Sequence, residues 1–294
     1  MTTYINNNNT LYSFISDSDE PRHILDIVHG VLTLVNNGVP SHSIKIFTDY
    51  PQVFYYTQPF FNDINIDRIS MMNTILHSEK GYNNVIFIVT GHGRPDGIGA
   101  STLSIPPHNL IDTVRNIPDI QCGIVILCQC YAGVFNYINA TQHPPVVVIG
   151  AANLGPSLSP PINYILHDKN TPPNPIFPGW QANAFMFFFF RWFDDKFDID
   201  GDGVHTLIDA YKYAGANSND AISSIKVSTF IRAQQTAIKI HILEDKKSKA
   251  GLDNNEQATL DSLQDALEND ISIINVNQEA WLLHANKARE IVFN

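Results

Sequence analysis

The chain is poor in basic residues and in cysteine. Its 18 lysines and arginines stand against 29 aspartates and glutamates, which gives a formal net charge of −11. Nucleic acids and anionic membranes are bound through basic surface, so this balance argues against both as partners. Cys122, Cys128 and Cys130 are the 3 cysteines, and they lie too close together to cross-link distant parts of a fold. A clustered, odd set of thiols indicates a reducing compartment or a reactive site.

Long apolar runs are also missing. The most apolar stretch, residues 184–190, is followed directly by Arg191. It falls far short of the roughly 20 residues that span a bilayer, so it predicts a buried helix. Residues 1–6 carry neither a basic nor an apolar segment, and we therefore expect no signal peptide. The expected location is the cytoplasm, with leaderless export left open.

Two apolar segments, 85–89 and 123–127, are rich in β-branched residues and bounded by glycine, which is typical of buried parallel strands. Helical and strand patterns alternate through residues 10–150. This order predicts an α/β fold, in which a mainly parallel sheet is flanked by helices. The 294 residues and the 44% hydrophobic content suit one large domain with an appendage.

The pattern along the chain predicts four parts. Residues 1–9 are expected to form a mobile polar tail, and residues 10–243 the main domain. Residues 244–257 are predicted to be a charged linker, and residues 258–294 a helical carboxyl-terminal segment. Within the main domain, residues 153–179 are rich in proline, serine and asparagine, and they predict a long functional loop.

A reactive side chain follows each of the two apolar strands. His92-Gly93 follows the first strand and Cys130 follows the second. Open α/β sheets bind ligands at the carboxyl ends of their strands, so we expect the imidazole and the thiol to lie together. A thiol attacks as the thiolate, which a neighbouring base generates. The backbone N–H groups of Cys130 and Gly93 would then stabilise an oxyanion.

Two other readings of these residues stay open. A cysteine at a strand end is often a small buried hydrophobe without chemistry. Cys128, Cys130 and His92 could instead bind a metal ion, because alternate residues of a strand face the same side.

Taken in order, the motifs resemble those of the legumain-like cysteine peptidases, which have a caspase-type fold. The resemblance covers about residues 10–160. The residues that carry it are Arg22-His23, Asn37-Gly38-Val39-Pro40, His92-Gly93, Cys130-Tyr131-Ala132-Gly133 and Ala151-Ala152-Asn153. It implies that Cys130 is the nucleophile, His92 the base or acid, and Gly93 an oxyanion donor.

The resemblance also implies a pocket for the substrate residue before the scissile bond. Arg22 matches a pocket arginine of legumains, and Ser157 falls near a pocket serine. Legumains place an acidic residue two positions before the nucleophile, where it helps recognise asparagine, but here Cys128 holds that position. An asparagine orients the histidine in legumains, and the candidates here are Asp19 and Glu20.

The expected function is that of a cysteine endopeptidase that acts on a protein or peptide, with cleavage after asparagine or aspartate. One alternative is a transpeptidase or ligase that uses the same acyl-enzyme. The other is an inactive binding module of caspase-type fold. The carboxyl-terminal helices would either pack on the core or, as in legumains, form a prodomain, which cleavage near Asn254-Asn255-Glu256 would release.

Residues 198–209 follow the pattern of an EF-hand calcium loop. Gly203 holds the sixth position, where the turn is sharp. Position twelve is Asp209 in place of the usual glutamate, and the shorter side chain makes bidentate binding harder. The predicted ligands are Asp198, Asp200, Asp202, the Val204 carbonyl, Thr206 and Asp209. We expect structural Ca²⁺ or Mg²⁺ here and no cofactor for catalysis; an acidic turn that caps a helix is the alternative.

Overall fold

A seven-stranded sheet organises the fold. The computed structural model describes residues 2–52, 61, 63–99, 104–166, 179–276 and 279–294. The strands in chain order are β1 (Thr3–Ile5), β2 (Thr10–Asp17), β3 (Ile44–Thr48), β4 (Ile66–Asp67), β5 (Asn84–Gly91), β6 (Gly93–Arg94), β7 (Gly97–Ile98), β8 (Cys122–Leu127), β9 (Val146–Gly150), β10 (Pro161–Ile162), β11 (Trp180–Gln181), β12 (Trp281–Leu283) and β13 (Ile291–Phe293). The order in the sheet is β12-β9-β8-β5-β2-β3-β4, and every pair except β12–β9 is parallel.

Helices cover this sheet, which confirms the predicted α/β class with a mainly parallel sheet. The helices are α1 (Pro21–Asn36), α2 (Met72–Leu76), α3 (Pro107–Arg115), α4 (Ala184–Asp194), α5 (Leu207–Ala250), α6 (Asn254–Asn275) and α7 (Ala285–Ala288). Helix α1 begins at a proline, which suits the first turn of a helix, and it ends before Gly38, whose φ is +84°.

The central strands are buried along their whole length because both faces of the sheet are covered. Alternate residues therefore enter two different hydrophobic clusters. On β5, Ile86 and Ile88 join the cluster that contains residues of α1 and α4, while Val85, Phe87 and Val89 join the one that contains residues of α2 and α3. Packing on both faces holds the strand ends in place.

The register of the parallel strands brings three strand ends to one edge of the sheet. Val89 of β5 lies opposite Leu127 of β8, and Gly91 of β5 lies opposite Asp17 of β2. The residues that follow β2, β5 and β8 therefore leave the sheet side by side. His92 is among them.

The predicted buried helix at residues 184–190 lies within α4, whose Phe185, Phe189 and Phe190 are at most 1% exposed. Asn183 caps this helix, since its side chain accepts the Met186 N–H at 3.0 Å. Among the described helices, none is both long enough and apolar enough to cross a bilayer.

The chain divides into two compact units, residues 1–218 with 277–294, and residues 219–276. The first unit contains the sheet. The second consists of the later part of α5 together with α6. Within it, the buried Asp270 accepts the Nε–H of Arg232 at 2.9 Å, and Asp253 with Glu256 forms a capping box at the start of α6.

The structure differs from the predicted charged linker at residues 244–257. Helix α5 continues through this charge-rich stretch to Ala250, and α6 begins at Asn254. Asp245 and Lys249, four residues apart, form an ion pair of 2.7 Å that supports the helix. The helical conformation is interrupted only near Gly251, whose φ of +76° suits a glycine at a helix end.

Both ends of the described chain also differ from the prediction. Residues 3–5, predicted to lie in a mobile tail, form β1 and pair in parallel with β13. Residues 281–283, predicted to be helical, form β12 on the edge of the sheet beside β9. The indole of Trp281 covers Gly150 and donates to the Ala152 carbonyl at 2.8 Å. Pairing with distant strands thus overrides the local helical pattern.

Helix α1 approaches its neighbours closely at Gly30. A Cβ on Gly30 would lie 2.7 Å from Cε2 of Phe190 and 2.8 Å from Cε1 of Phe14. Both rings are buried and stack on each other. We expect Gly30→Ala to lower the free energy of unfolding by about 1–3 kcal/mol, because overpacking displaces these rings. Urea unfolding measures the change.

Gly215→Ala is the matched control, since this glycine also lies inside a helix. Its added Cβ would lie 3.6 Å from Cβ of Ala280, which is an ordinary contact. We expect it to raise the free energy of unfolding by roughly 0.5–1 kcal/mol. Equal effects of the two substitutions would contradict the close packing of α1.

Candidate active site

Cys130 lies on a sharp turn at the carboxyl end of β8. The Cys128 N–H still bonds to the Val89 carbonyl at 2.8 Å, and the chain then leaves the sheet. Tyr131 has left-handed backbone angles, φ 57° and ψ 25°, before a 3-10 turn at Ala132–Tyr137. A non-glycine residue in this region is strained, and such strain is concentrated at functional sites. The turn leaves Cys130 partly exposed, although Gln129 before it is buried.

The turn that follows His92 packs directly against the turn that carries Cys130. A Cβ on Gly93 would overlap the carbonyl oxygen of Cys130 and the Gln129 side chain, so only glycine fits there. The structure therefore packs Gly93, the neighbour of His92 in the chain, against the backbone of Cys130. On its other side, the Cys130 thiol accepts the Ser157 N–H at 3.3 Å.

The imidazole of His92 is held by Glu20, which precedes α1. Nε2 of His92 lies 3.0 Å from Oε1 of Glu20 and 3.5 Å from Oγ of Ser18. Of the two candidates for orienting the ring, Glu20 makes the contact and Asp19 is exposed. A carboxylate accepts the ring proton, so neutral His92 carries its proton on Nε2 and keeps Nδ1 as the basic nitrogen.

Glu20 stays ionised because of its neighbours. A hydrogen bond from Arg22 is the largest cause that lowers the pKa of the Glu20 carboxyl. The Arg22 charge lowers it further, and partial burial raises it. Nε of Arg22 lies 2.6 Å from Oε2 of Glu20. One carboxylate therefore binds the predicted pocket arginine and the predicted base.

Arg22 also binds Ser159, a residue that the sequence analysis missed. Nη1 of Arg22 donates to Oγ of Ser159 at 2.7 Å. The predicted pocket serine, Ser157, contributes its backbone N–H to Cys130. A signal was present, because residues two apart in an extended segment face the same side, and Ser157 and Ser159 have that spacing.

Cys128, predicted to contact substrate, is not brought to the surface. Its side chain belongs to the hydrophobic core and is 2% exposed. Burial, followed by the nearby Asp26 charge, raises the pKa of its thiol well above the ordinary value. Within the described ranges, Cys128 and Cys130 also form no group with His92 that one ion could span. The site therefore presents one thiol, that of Cys130.

A buried carboxyl group lies beneath the site and ties its elements together. Asp26 of α1 accepts the indole N–H of Trp180 at 2.8 Å, the Asn183 N–H at 3.2 Å and the Thr90 hydroxyl at 3.4 Å. The Asn183 amide in turn donates to the Cys128 carbonyl. Burial outweighs these donors and raises the pKa of Asp26 to about 7. The sequence held a sign of this group, because Asp26 is a charged residue among the apolar positions of the predicted helix.

His23 connects this network to His92. Its Nδ1 accepts the Gly91 N–H at 3.3 Å and lies 3.2 Å from Oγ1 of Thr90. The two imidazoles meet edge to face, with ring centroids 5.6 Å apart. Burial, and then the Arg22 charge, lowers the pKa of His23 to about 3, so the ring is neutral.

Three of the six ligands predicted in the acidic loop at residues 198–209 lie close together. Carboxylate oxygens of Asp198, Asp200 and Asp202 lie within 4.8 Å of one another. Gly201 and Gly203 have φ of +75° and +83°, and their N–H groups donate to Asp198 at 2.7 and 2.8 Å. The donor chemistry suits a hard cation such as Ca²⁺.

Two of the other predicted ligands, Asp209 and Thr206, bond to each other. Asp209 is fully buried and accepts the Thr206 N–H at 2.8 Å, the Thr206 hydroxyl at 2.7 Å and the Ile199 N–H at 3.0 Å. Asp209 and Thr206 thus cap the start of α5, as the alternative reading held. The Val204 N–H donates to Asp202 at 2.8 Å.

Comparison with protein-family models finds no match, and comparison with curated proteins finds none either. The resemblance to legumain-like peptidases therefore stays a prediction that rests on the motifs of the chain.

Asp26 should make stability depend on pH. Its pKa is about 7 in the folded protein against an ordinary value of 3.8, so the folded state binds the proton more tightly. The stabilisation of the folded state by protonated Asp26 is complete below the pKa that Asp26 has in the unfolded chain. It is lost as the pH rises through the pKa that Asp26 has in the folded protein. Between about pH 4 and pH 7, we expect wild type to lose stability relative to Asp26→Asn.

Urea unfolding of both proteins at a series of pH values measures this difference. His23 and His29 are also buried, but burial lowers their pKa values to about 3. Both are therefore neutral in folded wild type across this pH range, and their titration in the unfolded state is common to the two proteins. An offset between the two proteins that is constant with pH would contradict the shifted pKa of Asp26.

Proposed function

We propose that the chain is a cysteine endopeptidase in which Cys130 attacks the scissile carbonyl of a protein or peptide. The observation that carries the proposal is the Cys130 turn, which is packed on Gly93 beside the Glu20–His92 pair. These groups supply a nucleophile, a base and a residue that orients the base. The motifs that resemble those of legumain-like peptidases support the same conclusion.

The proposed reaction has two steps. His92 takes the proton of Cys130, and the thiolate adds to the carbonyl carbon while backbone N–H groups of Cys130 and Gly93 stabilise the oxyanion. The carbon–nitrogen bond breaks, the amine leaves with the proton from His92, and an acyl-enzyme remains. Water, deprotonated by His92, then releases the acid and the free thiol. Glu20 stabilises the imidazolium that forms in each step.

Arg22 is the proposed contact for the substrate side chain before the scissile bond. Its guanidinium is partly exposed, with 29% of the side-chain surface accessible, and it offers donors to a side-chain oxygen. Glu20, which binds Arg22, offers an acceptor beside those donors. An asparagine amide has both kinds of group, whereas an ionised aspartate has only acceptors. This pairing favours asparagine over aspartate.

The setting of the thiols fits a reducing compartment such as the cytoplasm. All three cysteines are free. Burial raises the pKa of Cys122 to about 11, so that thiol, like Cys128, is expected to be inert.

Active-site labelling tests the proposal. We expect a peptide that ends in asparagine and carries a thiol-reactive electrophile to modify wild type at Cys130. Cys130→Ala should lose the label and lower kcat/KM for a matching substrate by at least about a thousandfold. Cys128→Ala should keep both labelling and cleavage, because its thiol is buried. Peptide mass spectrometry locates the label.

Two outcomes would favour the alternatives. A folded protein that takes no label and cleaves nothing in a peptide library would be a binding module. Products joined to an added amine, in excess of hydrolysis, would identify a transpeptidase or ligase that uses the same acyl-enzyme.

We also propose that residues 198–209 bind structural Ca²⁺ or Mg²⁺. Asp198, Asp200 and Asp202 would hold the ion together with the Val204 carbonyl, and the mutual distances of the three carboxylates support this assignment. The ion would cross-link the loop before α5 and would take no part in catalysis.

Thermal unfolding with Ca²⁺ tests this second proposal. At a concentration 100 times the dissociation constant, we expect stabilisation of roughly 2.7 kcal/mol, and a chelator should reverse it. Asp200→Asn should remove most of the stabilisation. Asp195→Asn, an exposed acid outside the loop, is the matched control and should retain it. No shift in wild type would mean that the loop only caps α5.

A further inference from the structure

A second group of possible metal ligands lies inside the candidate active site. Glu20, His23 and His92 each offer a ligand atom, and these atoms lie within 4.8 Å of one another. The proposed peptidase chemistry uses Glu20 and His92 but gives no role to His23. The cluster therefore needs an explanation of its own.

His23 carries an unused polar atom at this cluster. The residue is 4% exposed, and its Nε2 has no hydrogen-bond partner among the described residues. Its other nitrogen, Nδ1, is engaged by Gly91 and Thr90. A buried polar atom without a partner often marks the place of an ion or a water, so we take Nε2 as the ligand atom.

The residues behind His23 are arranged as supports for a metal-binding imidazole. With Nε2 bound to a metal, Nδ1 must carry the ring proton, which it can donate to Oγ1 of Thr90 at 3.2 Å. The Thr90 hydroxyl in turn donates to Oδ2 of Asp26 at 3.4 Å. Such outer contacts orient metal-binding histidines and set their tautomer. The cost is the Gly91 N–H bond to Nδ1, which is long at 3.3 Å.

The donor set determines which metal fits. Two imidazole nitrogens and one carboxylate suit Zn²⁺ with water in the fourth position, whereas Ca²⁺ and Mg²⁺ prefer oxygen ligands alone. Side-chain exposures of 36% for His92 and 40% for Glu20 give the ion a path from solvent. The Arg22 charge, 2.6 Å from the far oxygen of Glu20, opposes a cation. It should make binding reversible.

We propose that Glu20, His23 and His92 form a reversible Zn²⁺ site that switches off the base of the active site. A neutral imidazole has one lone pair, so a metal bound to His92 leaves its other nitrogen as an N–H that accepts no proton. Binding displaces the proton from Nε2 of His92 while Nδ1 takes one up, so the neutral ring changes tautomer and no proton is lost overall. The inhibitory role, unlike the metal site itself, rests on the proposed peptidase function.

Cobalt substitution tests the site without any need for activity. The full chain is titrated with Co²⁺ in excess Mg²⁺, which keeps oxygen-only sites occupied, and the visible bands of the bound ion are recorded. We expect one Co²⁺ site with tetrahedral bands, present also in Cys130→Ala. Glu20→Gln and His23→Asn should each weaken binding by at least about tenfold. His108→Ala, an exposed histidine on α3, is the matched control and should bind as wild type does.

Several results would overturn the site. These are a wild type that binds no Co²⁺, binding that Glu20→Gln leaves unchanged, or a thiolate-to-cobalt band that disappears in Cys130→Ala. Because Glu20 is partly exposed, Glu20→Gln keeps the test decisive even if His23→Asn fails to fold.

Peptide cleavage then tests the inhibition. Zn²⁺ should inhibit wild type at the concentrations at which it displaces Co²⁺, and a chelator should restore the rate. Full cleavage with the site occupied would overturn the inhibitory role. Co²⁺ binding by a wild type that neither cleaves nor labels would support the metal site and overturn the peptidase proposal, so the two failures are distinguishable.

Discussion

The parallel hydrogen bonding of β5 to β8 is the constraint on which the candidate site depends. It aligns Val89 with Leu127. The next residue, Cys128, also donates its N–H to the Val89 carbonyl. The two strands are buried on both faces, so a shift of one residue would exchange the side chains of the two clusters. The packing and register of the strands therefore set the positions of the strand ends. His92 and Cys130 both follow these neighbouring strand ends within a few residues.

A buried network of hydrogen bonds under those turns also holds the helices and strands together. Asp26 joins α1 to β5 through Thr90 and to the start of α4 through Asn183. Asn183 continues to the Cys128 carbonyl, two residues from the thiol. Asp26, Thr90 and Asn183 each bond to a partner in another element, and leaving such a buried group unpaired would be costly. The network thus orients the helices relative to the strand ends, which apolar contacts alone specify less sharply.

The sequence predicted what is local and missed what is distant. The continuous apolar segments predicted β5 and β8, and Asn37-Gly38 predicted the end of α1. The partners of Asp26 could not be foreseen, because Trp180 is 154 residues away and no pattern near Asp26 specifies it. The strand β12 was missed for the same reason, since it forms only against β9. Asp209 illustrates another limit: one acidic pattern predicts both a calcium loop and a capped helix, and only the bonds to Thr206 show that Asp209 itself serves in the cap.

The sharing of Glu20 between Arg22 and His92 has a consequence for selectivity. In the proposed peptidase, substrate recognition and catalysis both depend on this one carboxylate, so a ligand that draws the guanidinium toward itself changes the electric field on the imidazole. A poorly matched side chain leaves that field as it is in the empty protein. Discrimination between substrates then extends from the binding step into the bond-breaking step, as in enzymes whose fit and rate rise together.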